Sequence, residues 1–264
     1  MSVKREKELK ICLIGNSHSG CIRTGWDAIK DYYPTVDIKS YPHSGEYYDL
    51  FRVHAPEKYL SIDDAFVQNQ FEMLSGNEGN IAFYSFDLCL VVGGIYSREF
   101  LQNGYSNQVY EAMISDYISD SHVRILLEKI RQISDIPITI LSTPYGGRRD
   151  KVAAVSLEKL VADNRKMDAI LAEKYDARLL VQPIETLITP TLSKLEYVVG
   201  ERLTGASLVP GAKQEIIEDL VHMNAAYGAL FLSQILADHG FKPEALQLPK
   251  PDGHLPFAER NMKQ

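Results

Sequence analysis

The stretch Lys10–Trp26, KICLIGNSHSGCIRTGW, decides the fold of this chain. Its apolar residues 11–14 follow a charged segment without interruption, which is typical of a central parallel strand covered on both faces. Gly15 breaks the strand, Asn16 and Ser17 are residue types that cap helices, and apolar positions at helical spacing follow. The pattern predicts a strand, a tight turn and a helix, with Ser17 at the corner.

Ser17 stands at a position that suits a nucleophile. The turn after a strand of an α/β sheet lies beyond the sheet's carboxyl edge, where the N–H groups of the next helix can receive negative charge. A hydroxyl at this corner can therefore meet a substrate. The alternative is structural, because a lone Ser or Asn in such a turn is more often a helix cap.

Three known motifs of strand–helix corners do not fit this turn. The glycine spacing is that of a P-loop, but Cys21 and Ile22 replace the residues that contact phosphate and magnesium. His18 and Ser19 stand where a dinucleotide fingerprint needs an inner glycine, and Ser19 also replaces the second glycine of the hydrolase elbow G-x-S-x-G. A nucleotide-binding flavodoxin-like protein would require phosphate-binding residues that this turn lacks.

The composition is typical of a single α/β domain that spans residues 1–264, with a C-terminal tail from about residue 240. Of the 264 residues, 45% are apolar and 24% are charged. The net charge of −7, without a basic stripe, argues against a nucleic-acid partner. The sequence shows no signal-peptide pattern and no membrane-spanning apolar run, and Cys12, Cys21 and Cys89 suit a reducing compartment. We therefore expect a cytoplasmic protein without a membrane partner, and the oligomeric state stays open.

Strand-like and helical segments alternate along the rest of the chain. Strands are predicted at 36–41, 81–84, 87–92, 136–141 and 178–181, and helices at 63–75, 105–118, 121–133, 152–175 and 222–237. The segments 42–61 and 182–218 are predicted to be loops, and the second is expected to close over one end of the sheet. This alternation predicts a parallel sheet with helices on both faces.

A second motif precedes the last predicted helix. Asp219 stands three residues before His222, and in a turn this spacing lets the carboxylate reach Nδ1 of the imidazole. Nε2 then remains available to accept a proton. The spacing alone occurs by chance in many proteins, but together with Ser17 at its corner it favours a serine nucleophile with a base and an acid. His43 and His54 have no carboxylate or cysteine neighbours at metal-ligand spacing, so no metal is expected.

The G-N-S-H-S turn, residues 15–19, and the D-x-x-H-x-N-x-x-Y-G segment, residues 219–228, resemble the first and last blocks of the SGNH hydrolases, also called the GDSL family. The resemblance spans residues 9–237 and is greatest to the branch with His after the serine, which is often found beside polysaccharide-modifying genes. It implies a three-layer, flavodoxin-like α/β sandwich with a central, mainly five-stranded parallel sheet. It also implies that Ser17 is the nucleophile, His222 the general base and Asp219 its orienting acid.

Two other blocks of the family are not matched. An Asn that donates to the oxyanion usually follows the strand that here ends at Gly93-Gly94, but Ile95 and Tyr96 follow instead. The candidates for the missing donor are the Gly94 N–H, Ser97, Asn103 and Asn107. The glycine of the second block is assigned to Gly45, with Gly76 and Gly79 as alternatives. Asn16 and Arg148 are further candidates for oxyanion or substrate contacts, although Arg148 and Arg149 also fit a solvated charged turn.

The residues and the resemblance together predict a serine esterase of SGNH type that acts on an acyl ester through an acyl-enzyme. The expected partner is a small-molecule or glycan acyl ester, with O-acetylated carbohydrate as the expected class, and no cofactor is needed. Two alternatives stay open. The same triad could transfer the acyl group to a glycan hydroxyl, or the chain could be a non-catalytic carbohydrate-binding or assembly module that kept the fold without the oxyanion hole.

Overall fold

A computed structural model of the protein describes residues 8–43, 48–76, 79–98, 100, 105–147, 156–198 and 221–251. The strands are β1 (Leu9–Gly15), β2 (Val36–Pro42), β3 (Phe51–His54), β4 (Tyr59–Ile62), β5 (Ile81–Ala82), β6 (Leu88–Tyr96), β7 (Ile138–Thr143), β8 (Ala177–Leu180), β9 (Leu187–Thr189) and β10 (Leu192–Ser193). The helices are α1 (Ser19–Ile29), α2 (Ala65–Ser75), α3 (Asn107–Ser119), α4 (His122–Arg131), α5 (Leu157–Tyr175), α6 (Leu195–Val198) and α7 (Ala225–Asp238).

Five parallel strands form the central sheet in the spatial order β2-β1-β6-β7-β8. Counted among themselves these strands follow the flavodoxin-like order 2-1-3-4-5, so the predicted fold class is confirmed. The direction in which successive strands are added to the sheet reverses between β1 and β6. In open sheets of this kind, ligands bind in the crevice at the carboxyl ends of the two strands that flank the reversal. The turn that carries Ser17 follows β1 at this point.

Helices cover both faces of the sheet, and β1 contributes to both. Ile11 and Leu13 face the layer that contains α1 and α7, whereas Cys12 and Ile14 face the layer built from α2, α3, α4 and α5. All four side chains are buried. The uninterrupted apolar run of β1 thus reflects a strand covered on both sides, as the sequence predicts.

The α1 and α7 helices touch through their backbones. A Cβ atom on Gly25 of α1 would lie 2.2 Å from the Ala229 backbone nitrogen, and one on Gly228 of α7 would lie 1.8 Å from the Cys21 carbonyl oxygen. Two glycines therefore permit an approach that no larger residue could make at either position. This contact fixes the start of α7 beside the start of α1.

The segment 42–61 is not a simple loop, and this prediction is wrong for its described part. The strands β3, β4 and β5 form a separate antiparallel sheet, with Phe51 and Leu60 buried in the core. Lys129 of α4 attaches this sheet, because its Nζ donates to the carbonyl oxygens of Tyr48, Asp49 and Phe51 at 3.0, 2.7 and 2.6 Å. Tertiary contacts thus order a segment whose sequence is polar.

Two other predicted boundaries are wrong. The strand predicted at 87–92 continues as β6 to Tyr96, and its pairing with β7 shifts register between Val92 and Tyr96. The described part of the predicted loop 182–218 contains β9, β10 and α6, and it is tied down by Gln182, whose amide nitrogen donates to Thr186 Oγ1 and Ser193 Oγ. Within the described ranges, no helix is long and apolar enough to cross a membrane.

The backbone contact between α1 and α7 predicts whether a substitution at Gly228 raises or lowers the stability of the protein. In an exposed helix, Gly→Ala stabilises by about 1 kcal/mol. At position 228 the added Cβ overlaps the Cys21 carbonyl, so we expect Gly228→Ala to lower the free energy of unfolding by at least about 2 kcal/mol. Urea denaturation measures this change in the free energy of unfolding. Ser233→Ala on the same helix is the control and should change stability by less than about 0.5 kcal/mol. A Gly228→Ala protein as stable as the wild type would contradict the close approach.

Candidate active site

The turn after β1 is held by backbone and side-chain hydrogen bonds that leave the Ser17 hydroxyl out. The Asn16 carbonyl accepts from the Ser19 N–H at 2.9 Å and from Ser19 Oγ at 2.7 Å. The N-cap of α1 is His18, which makes no side-chain capping bond. The alternative reading of Ser17 as a helix cap is therefore wrong. Its hydroxyl is used elsewhere.

The Ser17 hydroxyl meets the imidazole of His222. Ser17 Oγ lies 2.8 Å from His222 Nε2, although the two residues are 205 positions apart in the chain. Both side chains are half-buried, so the pair is open to solvent on one side. The nitrogen that faces the hydroxyl is Nε2, the atom that the sequence leaves available for proton transfer.

Asn224 anchors the short connection between His222 and α7. Its side-chain Oδ1 accepts from the Tyr227 N–H at 3.2 Å and caps α7, while Nδ2 donates to the Glu196 carbonyl at 2.7 Å. Its backbone N–H donates to the Tyr197 carbonyl at 2.9 Å. Asn224 is buried, so these bonds are shielded from water. The segment that carries His222 is thereby tied to both α6 and α7.

The imidazole of His18 packs on that of His222. The two ring centroids are 5.0 Å apart with a tilt of 35°, and His18 is buried. A histidine at this position of the turn could contact substrate or fill the turn, and neither role predicts this contact. No local signal could have indicated it, because the contact depends on the close approach of α1 and α7.

The carboxamide of Asn16 lies against the end of β6. Its Oδ1 accepts from the His18 N–H at 3.1 Å. A Cβ on Gly93 would lie 2.5 Å from both terminal atoms of this carboxamide, and Gly93 has a φ of +85°. Gly93 is thus required both by its left-handed backbone and by the side chain that covers it. The ends of β1 and β6 meet at this contact.

The oxyanion-donor candidates Gly94, Ser97 and Asn107 have different surroundings in the structure. Gly94 follows Gly93 at the bulge of β6, with a φ of +80°, and packs against Val123 of α4. Ser97 is buried and its hydroxyl is hydrogen-bonded to the Asn164 amide, so it is committed to the core. Asn107 is the exposed first residue of α3.

The remaining candidates fall into two groups. Gly76 ends α2 in a left-handed conformation and its N–H donates to the Glu72 carbonyl, while Gly79 packs on Ile62 of the small antiparallel sheet. Neither glycine is part of the turn beside Ser17. Four predicted site residues lie outside the described residues: Asp219, Gly45, Asn103 and Arg148. Arg149 lies outside them as well.

The cysteine next to the turn, Cys21, has an unreactive thiol. Cys21 is buried, its Sγ donates to the His18 carbonyl at 3.0 Å, and burial raises its pKa to about 12. The thiol is therefore protonated at neutral pH and is not a nucleophile. Among the residues that the structure describes, no group of three or more His, Cys, Asp or Glu side chains could hold a metal ion.

The chain contains a second serine–histidine pair. His54 Nε2 lies 2.7 Å from Ser61 Oγ across the β3–β4 hairpin, and the His54 ring stacks on Tyr59 with a centroid distance of 4.2 Å. Ser61 is buried within a strand rather than at a turn. This pair fits a cross-strand hydrogen bond that stabilises the hairpin. A short Ser–His distance is therefore not sufficient to identify an active site.

No family model matches this chain, and no curated protein matches it. Solved structures do match. They include the gut microbial diltiazem-metabolizing enzyme BT4096 (10% identity, TM-score 0.39, 90% of this chain and 48% of that chain). They also include the salicylyl-acyltransferase SsfX3 from a tetracycline biosynthetic pathway (13% identity, TM-score 0.37, 92% and 58%). A third is a variant of the acetyl-xylooligosaccharide esterase Axe2 from Geobacillus (13% identity, TM-score 0.41, 93% and 100%).

The chain spans about half the length of the first two of these proteins. At these identities and TM-scores, the matches carry no inference about the chemistry of this chain.

Proposed function

We propose that this protein is a serine-dependent acyl-ester hydrolase of the SGNH type, with Ser17 as the nucleophile and His222 as the general base. The observation that carries the proposal is the 2.8 Å contact between Ser17 Oγ and His222 Nε2 at the carboxyl edge of the sheet. A serine hydroxyl becomes a nucleophile near neutral pH only when an adjacent base takes its proton. The position of the pair beside the β1–β6 crevice, where open sheets bind ligands, supports the same function.

The reaction proceeds in two halves. Ser17 Oγ attacks the ester carbonyl while His222 Nε2 takes the hydroxyl proton, and a tetrahedral oxyanion forms. When this intermediate collapses, the carbon–oxygen bond to the alcohol breaks and His222 returns the proton to the leaving alcohol. Water then attacks the acyl-enzyme with His222 again as the base, and the carboxylic acid and free Ser17 are released. All the proton transfers use one imidazole, so no cofactor is required.

Asp219 completes the proposed triad. Its role is supported by the three-residue spacing to His222 and by the resemblance of this segment to the last SGNH block. A carboxylate on Nδ1 fixes the tautomer that presents Nε2 to the serine and stabilises the imidazolium that forms. The proposed substrate class, an O-acetylated carbohydrate, is supported only by the resemblance. Transfer to a glycan hydroxyl would use the same triad.

A second candidate function is a non-catalytic carbohydrate-binding or assembly module. It is favoured by the absence of an Asn directly after Gly94 and by the commitment of the Ser97 hydroxyl to Asn164. Losing one oxyanion donor typically costs on the order of 10²–10³ in rate. The two candidates differ in whether Ser17 reacts.

A fluorophosphonate probe and p-nitrophenyl acetate distinguish the two functions. We expect the wild type to be labelled at Ser17 and to release p-nitrophenol, and we expect Ser17→Ala and His222→Ala each to lower turnover by on the order of 10⁴ or more. Mass spectrometry of the labelled peptide identifies the residue. The matched controls are Ser61→Ala and His54→Ala, which break the second Ser–His pair and should keep full turnover. An unlabelled wild type would favour the binding module.

The proposed acid can be tested with an isosteric substitution. Asp219→Asn keeps the size of the side chain but presents an amide to the imidazole, so the tautomer that accepts the serine proton is no longer favoured. We expect kcat for p-nitrophenyl acetate to fall on the order of 10³–10⁴-fold, with KM changed less than about threefold. Turnover within tenfold of the wild type would exclude Asp219 as the orienting acid. Circular dichroism melts check that the variant is folded.

Asn224 provides a test of how the base is held. Asn224→Asp keeps an oxygen that caps α7 but replaces the donor to the Glu196 carbonyl, whereas Asn224→Ala removes both contacts. We expect Asn224→Asp to lower kcat of the folded protein about 10- to 100-fold, because misplacing a reacting group by about 1 Å costs up to about 10²-fold. It should lower stability as well, because a buried carboxylate oxygen would face the Glu196 carbonyl oxygen. Asn224→Ala should also lose about 1 kcal/mol of stability. Full turnover in Asn224→Asp would show that the tether to α6 does not position His222.

A further inference from the structure

The proposed hydrolase requires hydrogen-bond donors for the oxyanion, and the family's usual Asn is missing. Donors to this oxygen must be fixed before the reaction, because preorganised dipoles stabilise developing charge without reorganisation. Among the described candidates, the Ser97 hydroxyl is bonded to Asn164 and the Gly76 N–H ends a helix. Because Ser17 is the attacking residue, a donor in its own turn would lie next to the acyl carbon.

The carboxamide of Asn16 presents such a donor. The His18 N–H points at one end of this carboxamide, at 3.1 Å, and an N–H requires an acceptor, so that end is Oδ1. The other end is Nδ2, which carries two N–H groups. Nδ2 makes no hydrogen bond to any of the residues that the structure describes.

The position of this carboxamide is fixed from several sides. The Asn16 carbonyl accepts from two groups of Ser19, and its N–H donates to the Val92 carbonyl at 3.4 Å. Beneath the carboxamide lies Gly93, where any Cβ would overlap it. The glycine at the end of β6 thus makes room for both terminal atoms of the carboxamide, Oδ1 and Nδ2.

The backbone N–H of Ser17 is a second donor in the same turn. Within the described part of the chain it donates no hydrogen bond. We propose that Asn16 Nδ2 and the Ser17 N–H donate together to the oxyanion that forms on the acyl carbon, which makes Asn16 a catalytic residue. This inference rests on the proposed function. It assigns to the residue before the nucleophile the role that an Asn after β6 has in the family.

Two substitutions separate the donor from the turn. Asn16→Asp is isosteric and keeps an oxygen for the His18 N–H, but it replaces the Nδ2 donor with a charged acceptor. Asn16→Ser also offers an oxygen to that N–H, and it removes the donor without adding charge. For both variants we expect kcat for p-nitrophenyl acetate to fall on the order of 10²–10³-fold, with KM within about threefold and the melting temperature within about 3 °C.

Affinity for a boronic acid gives a readout that does not depend on turnover. Phenylboronic acid forms a tetrahedral adduct on an activated serine, and one of its oxygens occupies the oxyanion position. We expect its Kd to rise at least tenfold in Asn16→Asp and Asn16→Ser and to stay unchanged in the control Ser61→Ala. A change of Kd in step with kcat supports donation to the tetrahedral state.

The outcomes separate this inference from the proposed function. If the wild type turns over substrate through Ser17 and both Asn16 variants keep kcat within threefold, the donor role is overturned and the hydrolase stands. If both variants melt more than about 10 °C lower and their kcat per folded molecule is unchanged, Asn16 is structural and the inference is again overturned. If the wild type shows no Ser17-dependent reaction, the proposed function fails and this inference fails with it.

Discussion

The meeting of Ser17 and His222 depends on the backbone contact between α1 and α7. α1 begins two residues after Ser17 and α7 begins three residues after His222. Gly25 and Gly228 let these helices approach until no Cβ fits between them, so a side chain on either glycine would push the helices apart. A hydrogen bond of 2.8 Å between their starts would not survive such a shift. Packing in the interior thus sets the distance between two polar groups at the edge of the sheet.

The order of the strands determines what else lies beside this pair. β1 and β6 are neighbours in the sheet although more than seventy residues separate them, and their ends meet where Asn16 covers Gly93. The register shift of β6 after Val92 lets two residues with left-handed φ values follow a straight strand. The strand–helix turn and the bulge are complementary in shape.

The sequence predicts the fold well where one local signal dominates. The apolar run of β1, the corner at Ser17 and the alternation of strands with helices are all read from short windows, and each is confirmed. Prediction of the fold from the sequence fails where tertiary contacts override the local pattern. The hairpin of β3 and β4 contains polar residues on short strands and is held to α4 by Lys129, which no local window contains.

The candidate site, like the fold, has parts that the sequence predicts and parts that it does not. The proposed nucleophile and base, Ser17 and His222, are predicted from residue type and position, because each stands at the entrance of a helix. The packing of His18 on His222 and of Asn16 on Gly93 could not be predicted, since both contacts join segments far apart in the chain. The sequence therefore predicts the two members of the Ser17–His222 pair, and the fold determines which residues lie beside them.

The two Ser–His pairs described above show why the residues around such a pair matter. The distances, 2.7 Å for His54–Ser61 and 2.8 Å for His222–Ser17, are nearly equal. Ser61 is buried in a strand, where an attacking oxygen could not reach a substrate carbonyl and where backbone N–H groups belong to the sheet. Ser17 lies at a corner where the Asn16 Nδ2 and the Ser17 N–H donate to no other residue that the structure describes. A base makes a hydroxyl nucleophilic, but catalysis also requires hydrogen-bond donors that stabilise the negative charge of the tetrahedral intermediate.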